Sequence, residues 1–262
     1  MMKQLAMTFV LALGFAINAS AAIKKEMVEY KDGKTALEGY IAYDDSVKSP
    51  RPAVMIVHQW MGLTDYEKMR ADQLAEKGYV AFAVDIYGKG VHANTQEEAG
   101  KLSTMYKDNR KLYRQRTTAA FDFIKKNKMV DAKHIVVMGY CFGGTGALEL
   151  GRTGAAVAGV ATFHGALSNP TPADAKNFKG PVIVMHGAID PYVKADEVNA
   201  FLKEMNDAKV DFQFIEYSGA VHAFTQKNSG NDPSKGIAYN EAADKRSLIA
   251  FMNFLNEVAP VK

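Results

Sequence analysis

The chain has 262 residues, 48% of them hydrophobic, and 32 Lys and Arg stand against 29 Asp and Glu for a formal charge of +3. That length suits one folded domain with a substantial core, and so small and dispersed a charge argues against a nucleic-acid partner. One cysteine cannot form an intrachain disulfide, and no two of the six histidines have the close spacing of a helical ligand pair, so neither a disulfide framework nor a metal or other cofactor is implied.

At the start, Lys3 precedes a nearly all-apolar run from Leu5 to Ile17, and Ala19-Ser20-Ala21 follows. A basic head, a short apolar stretch and a small-x-small site predict a signal peptide over residues 1–21, cleaved before Ala22. The run is shorter than the roughly 20 residues a membrane span needs. The expectation is an exported protein, periplasmic or secreted, without membrane attachment after cleavage and with a charge of about +2 once Lys3 is gone. Residues 22–262 are expected to form a single domain, whose oligomeric state the sequence leaves open.

Along that domain, short apolar runs alternate with longer helical patterns. Leu37–Tyr43 has the alternation of an edge or late strand. Ala53–Val57, Tyr79–Val84, Ile135–Met138, Val157–Phe163 and Val182–Met185 are continuous apolar runs that predict strands buried on both faces. Asp211–Tyr217 again alternates. Helices are predicted over Asp65–Lys77, Thr95–Lys126, Thr145–Leu150, Ala195–Asn206 and Tyr239–Val258, with Thr95 and Glu98 at capping-box spacing. Lys125, Lys126 and Lys128 suit a solvated helix C-terminus. Asn228–Gly236 is polar and Gly-rich and reads as a mobile loop. The fold class predicted is α/β: a mostly parallel twisted sheet with helices on both faces.

Cys141 stands in Gly139-Tyr140-Cys141-Phe142-Gly143-Gly144, directly after a strand. A strand that reverses at once into a helix strains its pivot residue and needs small neighbours, which Gly139 and Gly143 supply; the pivot side chain is then lifted above the sheet edge. In open α/β sheets ligands bind beyond the carboxyl ends of the strands. His58-Gln59-Trp60, Asp85-Ile86-Tyr87, Cys141, His164, His186 to Asp190, and His222 all fall at such ends. A thiol nucleophile needs a base, and the base needs a carboxylate to hold its tautomer. Cys141, Asp190 and His222 supply these in the chain order of an α/β-hydrolase triad. His58, His164 and His186 read as braces of the strand-end loops, and His92 and His134 as surface residues. A noncatalytic binding protein of the same fold, or a thiol redox sensor, remains an alternative at this level.

Val57 to Leu63, Asp85-Ile86-Tyr87, Gly139 to Gly144, His186 to Asp190, His222-Ala223-Phe224 and Tyr239 to Arg246 together resemble the dienelactone hydrolase (carboxymethylenebutenolidase) family. The resemblance implies an α/β-hydrolase fold and hydrolysis of a small-molecule ester or lactone through a thioester on Cys141. It places Asp190 and His222 in the triad and the oxyanion donors on the backbone N–H groups of Phe142 and Trp60. It also marks departures. The family's glutamate beside the thiol is Gln59 here, and its two carboxylate-binding arginines are Lys89 and Gln226. The expected pocket comprises Gln59, Tyr87, Lys89, His164, Phe224 and Gln226, with Trp60, Tyr87, Phe142 and Phe224 as aromatic walls for a neutral or less acidic ester.

Overall fold

The computed structural model describes residues 23–261, so the predicted signal segment 1–21 lies outside the described residues. Eight strands form one sheet: β1 (Ile23–Asp32), β2 (Thr35–Asp44), β3 (Arg51–Val57), β4 (Val80–Val84), β5 (Val130–Tyr140), β6 (Gly159–Phe163), β7 (Val182–Gly187) and β8 (Phe212–Tyr217). Their spatial order is β1-β2-β4-β3-β5-β6-β7-β8. The β1–β2 and β2–β4 pairs are antiparallel and all others parallel.

The continuous apolar runs lie where burial on both faces demands them, and every residue of β3, β4, β6 and β7 is buried. Successive side chains point to opposite faces. Ala53, Met55 and Val57 join one core with Ile135 and Val137, while Val54 and Ile56 join the other with Val136, Met138 and Tyr140. The first core is closed by α2 (Gln96–Asp108), α3 (Arg110–Ile124), α4 (Phe142–Arg152) and α5 (Ala195–Asp207); the second is closed by α1 (Asp65–Ala75) and α6 (Glu241–Val258). Helices therefore cover both faces, as predicted. All residues of α4 are buried, so its charged residues must find partners inside. Arg152 bonds Glu149 and Glu204 at 3.0 Å each, and Arg114 reaches Glu149 at 2.6 Å.

Several boundaries differ from the sequence reading, each for a local reason. The helix expected over Thr95–Lys126 is two helices, broken at Asn109, whose backbone leaves the helical region (φ −110°, ψ 74°) and whose side chain caps α3 by accepting from Leu112 N at 3.0 Å. The capping box expected at Thr95 forms in part. Thr95 accepts from Glu98 N, but the Glu98 carboxylate accepts from Asn94 N; the complete box is at Thr64 and Glu67, heading α1. Helix α4 begins at Phe142 rather than Thr145, because the strand turns directly into it. Leu37–Tyr43 is not an edge, since β1, a strand of mixed charged and apolar residues, lies outside it. Asn228–Gly236 is a folded strap with two 3₁₀ turns, Lys227–Ser229 and Pro233–Lys235, and not a featureless loop.

Helix α6 offers a test of the second core. Phe251 is fully buried against Phe163 and Ile249 is 61% exposed, although they are two residues apart. Phe251→Ala is expected to cost about 3–5 kcal/mol of unfolding free energy in urea denaturation. Ile249→Ala should stay within about 0.5 kcal/mol.

Candidate active site

The parallel strands deliver their C-terminal ends to one edge, and there β5 passes into α4 with no intervening loop. Cys141 is the pivot, at φ 54° and ψ −118°. That region is strained for any residue with a Cβ, at a cost of about 1–3 kcal/mol. Two glycines make the turn possible. A Cβ on Gly139 would lie 2.1 Å from Gly143 O, and a Cβ on Gly143 would lie 2.0 Å from Val57 O and 2.6 Å from His58 O. The nucleophile turn is thus a contact of backbone on backbone, and β3 is its floor.

Cys141, His222 and Asp190 meet as the chain order suggested. His222 Nε2 is 3.0 Å from Cys141 Sγ and His222 Nδ1 is 2.8 Å from Asp190 Oδ2. Asp190 is itself oriented, because its Oδ1 accepts from Tyr192 N at 2.8 Å. His222 is fixed by the strap: its N–H donates to Gly236 O and its carbonyl accepts from Ala238 N, both at 3.2 Å. Burial raises the thiol pKa, but the His222 charge and hydrogen bond outweigh it and bring Cys141 below its ordinary value. Burial alone would depress the imidazole; Cys141 and Asp190 instead push His222 up to about 10. Both shifts run in the direction that favours a thiolate beside an imidazolium.

The candidate oxyanion donors lie in peptide planes held from the opposite side. In a trans peptide the N–H points away from the preceding carbonyl. Cys141 O accepts from Gly144 N at 3.0 Å, which sets the direction of the Phe142 N–H. Gln59 O accepts from Gly62 N at 3.2 Å and from His58 Nδ1, which sets the direction of the Trp60 N–H. Carbonyls on the far side are also held: Tyr113 Oη donates to Phe142 O at 2.7 Å and Tyr87 Oη to Trp60 O at 2.9 Å. His58 Nε2 accepts from Ile86 N at 3.2 Å, so His58 is a neutral brace, and burial lowers its pKa accordingly.

The other expected site residues divide. His164, at φ 41°, is buried edge-on to His222 with ring centroids 5.3 Å apart, and its Nε2 meets Thr225 Oγ1 at 3.0 Å. Burial, together with the His222 charge, holds it well below its ordinary pKa and therefore neutral. Tyr87 packs against His58 and Phe142. Gln59 bonds Glu67 rather than the thiol, at 3.3 Å. Gln226 is buried, and its Nε2 has no acceptor among the described residues. Three expectations need correction. Lys89 does not present a free ammonium, because Glu29 and Glu38 pair with it on β1 and β2. Phe224 is fully buried against His164 and Tyr217, and Phe142 is stacked on Tyr113 at 4.6 Å; both are core beneath the site, not open walls.

Exposed apolar surface comes instead from the turn around the acid. Tyr192 is 57% exposed with its ring 5.3 Å from that of His222, and Ile189 is 56% exposed. The sequence reading gave Ile189 and Tyr192 no role, although their place beside Asp190 was the available signal. It also missed Glu67 and Tyr113, whose helical settings gave no sign that they reach the site. A cavity of about 900 Å³ between the β1–β2 turn and α3 contains no triad residue, and one of about 500 Å³, lined by His186, Val193 and Leu202, backs onto Asp190.

Comparison with known proteins gives a consistent result. The model of the Dienelactone hydrolase family matches residues 37–259. Protein usf of Aquifex pyrophilus is 33% identical over 204 residues, covering 76% of this chain and 86% of its own length. The solved structure named m3DLH superposes with a TM-score of 0.87 at 34% identity, over 91% of this chain and 99% of its own. A dienelactone hydrolase-like promiscuous phosphotriesterase from metagenomic libraries gives 0.86, also at 34% identity with 91% and 99% coverage. Eight strands in this order, mostly parallel and covered on both faces, are the α/β-hydrolase fold shared with these structures.

The ion pair has a measurable signature. Iodoacetamide labelling of Cys141 should rise with pH through an inflection below the roughly 8.5 of a free thiol. His222→Ala removes the positive partner, so the inflection should move to higher pH. An unchanged inflection would mean that the imidazolium does not stabilise the thiolate.

Proposed function

We propose that this protein, which belongs to the dienelactone hydrolase family, hydrolyses a small-molecule ester or lactone through a thioester on Cys141. Membership makes it a hydrolase of ester or lactone bonds. The observation that carries the finer mechanism is the continuous contact Sγ to Nε2 at 3.0 Å and Nδ1 to Oδ2 at 2.8 Å. A noncatalytic binding protein would have no need of an imidazole held against a thiol on a strained turn, and a redox sensor would have no need of a carboxylate to hold that imidazole's tautomer.

In this mechanism the Cys141 thiolate attacks the acyl carbon, and the negative charge moves to the carbonyl oxygen. The Phe142 and Trp60 N–H groups stabilise that charge; losing one such donor typically costs about 3–4 kcal/mol of barrier. Collapse expels the alkoxide, which takes the proton from His222. The now neutral His222 removes a proton from water, whose oxygen attacks the thioester. The thiolate leaves, the carboxylic acid is released, and His222 is again the imidazolium. Asp190 holds the ring tautomer throughout.

The favoured substrate is uncharged. Lys89 is occupied by two glutamates, and Gln226 offers an amide where the family resemblance expects arginine. The half-buried ring of Trp60 and the exposed ring of Tyr192 give an apolar acyl or alcohol group a surface beside the site. Initial rates on a chromogenic short-chain ester, a neutral lactone, a carboxylated lactone and a phosphotriester should favour the neutral carboxylic substrates. The phosphotriester belongs in the panel because the metagenomic relative is a promiscuous phosphotriesterase. Cys141→Ala should lower turnover by about 10³-fold or more, and intact mass should detect acylated wild type only. A strong preference for the carboxylated lactone would overturn the inference from Lys89 and Gln226.

The proposal includes export directed by residues 1–21. Protein recovered from the periplasm or medium of an expressing bacterium should begin at Ala22 by N-terminal mass. Retention in the cytoplasm with Met1 or Met2 at the N-terminus would sink it.

A further inference from the structure

Glu67 is fully buried in the first turn of α1, and its carboxylate accepts four hydrogen bonds. Oε2 takes Thr64 N at 2.9 Å and Thr64 Oγ1 at 2.7 Å. Oε1 takes Gln59 N and Gln59 Nε2, each at 3.3 Å. Four donors and no acceptor are the surroundings of an ionised carboxylate. A helix N-terminus, where Glu67 sits, supplies favourable partial positive charge. Both Thr64 bonds stay within the helix N-terminus, and the one from Thr64 N is half of the capping box. The other two reach across to the residue that precedes Trp60, so the carboxylate ties both ends of the 59–64 loop to α1.

We infer that Glu67 is a positioning residue for the Trp60 oxyanion donor, and that position 59 carries an amide because Glu67 requires a donor there. The inference rests on the proposed function for the role of Trp60. The Gln59–Trp60 peptide is held at its carbonyl by Gly62 and His58, and at the preceding N–H and side chain by Glu67. A glutamate at 59 would place a second carboxylate about 3.3 Å from the first. Two carboxylates at that distance cannot both remain charged, so one takes a proton or swings out. Either response releases the loop. The departure at Gln59 is therefore one half of a pair whose other half is Glu67, and activation of the thiol is left to His222.

A double-mutant cycle tests this with kcat and KM on the best neutral ester, beside the pH profile of Cys141 alkylation. Gln59→Glu and Glu67→Gln should each lower kcat about tenfold or more with KM within about twofold, because an oxyanion donor acts mainly in the transition state. The double variant Gln59→Glu/Glu67→Gln faces a carboxylate with an amide again and should lose far less than the product of the single losses. Gln59→Met, which keeps the side-chain bulk but deletes the donor, should lower kcat without a change in thermal unfolding or in the alkylation profile. Losses that multiply in the double variant would overturn the inference. So would wild-type kcat in Glu67→Gln or Gln59→Met, or an alkylation profile that shifts with the loss, which would place position 59 in thiol activation. Absence of ester turnover by the wild type would instead count against the proposed function, since the cycle reads only ratios to it.

Discussion

The close passage of α4 over the end of β3 is the constraint on which the site depends. Gly143 lies so near Val57 O and His58 O that no side chain fits between them. This contact keeps Cys141 at a positive φ, whose strain the buried sheet must oppose. It also puts the turn that presents the thiol directly against the residues that begin the Trp60 loop. One backbone contact thus keeps the proposed nucleophile and the peptides proposed as oxyanion donors in common register. Preorganisation of this kind matters more than the strength of any one hydrogen bond, because donors already aimed need not reorganise as charge develops.

Around this frame the electrostatics are arranged by what is left uncharged. Cys141, His222 and Asp190 form one hydrogen-bonded chain, while His58, His164 and His186 are buried nearby with pKa values lowered, chiefly by burial. A protonated His164 beside the His222 ring would repel the imidazolium that the thiolate needs. Thr225 links that histidine to α1: its hydroxyl accepts from Tyr66 Oη at 3.0 Å and meets His164 Nε2 at 3.0 Å. Tyr66 stands on the same helix whose Glu67 bonds Gln59 at the start of the Trp60 loop.

The sequence made the central strands legible because continuous apolar runs have no other comfortable place than a doubly covered sheet. The turn at Cys141 was legible for a related reason, since glycines flanking a pivot reveal a steric demand. That Cys141, Asp190 and His222 come together was legible from chain order and strand ends. What stayed hidden depends on distance in space. Lys89 reads as a free cation until β1 and β2 bring Glu29 and Glu38 to it, and β1 itself lacks a clean alternation because it is an edge. Phe142 and Phe224 carry no mark distinguishing a pocket wall from a core ring. Asn109 breaks an otherwise helical pattern through a capping bond that propensity alone does not reveal.

The strap was the least legible element, and it explains how the acid and base stay together. Its composition of Gly, Asn, Ser and Asp suits looseness, yet Gly236 O and Ala238 N bracket His222, while Tyr239 N donates to Gly230 O at 2.7 Å to close the strap on itself. A Cβ at Gly236, where φ is 76°, would strike Pro191 at 2.8 Å. The strap therefore leans on the residue next to Asp190 while gripping the backbone of His222, and the two loops that carry acid and base are spaced by a third. This division suits the chemistry. In the proposed chemistry the thiol and the Phe142 donor stand where β5 passes into the N-terminus of α4, whereas the Trp60 donor and the imidazole, which gives a proton to the leaving group and later takes one from water, are carried on loops held by hydrogen bonds. A single bridge to the strap thus holds the backbone of His222 while its Nδ1 keeps Asp190 at 2.8 Å, the contact on which both proposed proton transfers depend.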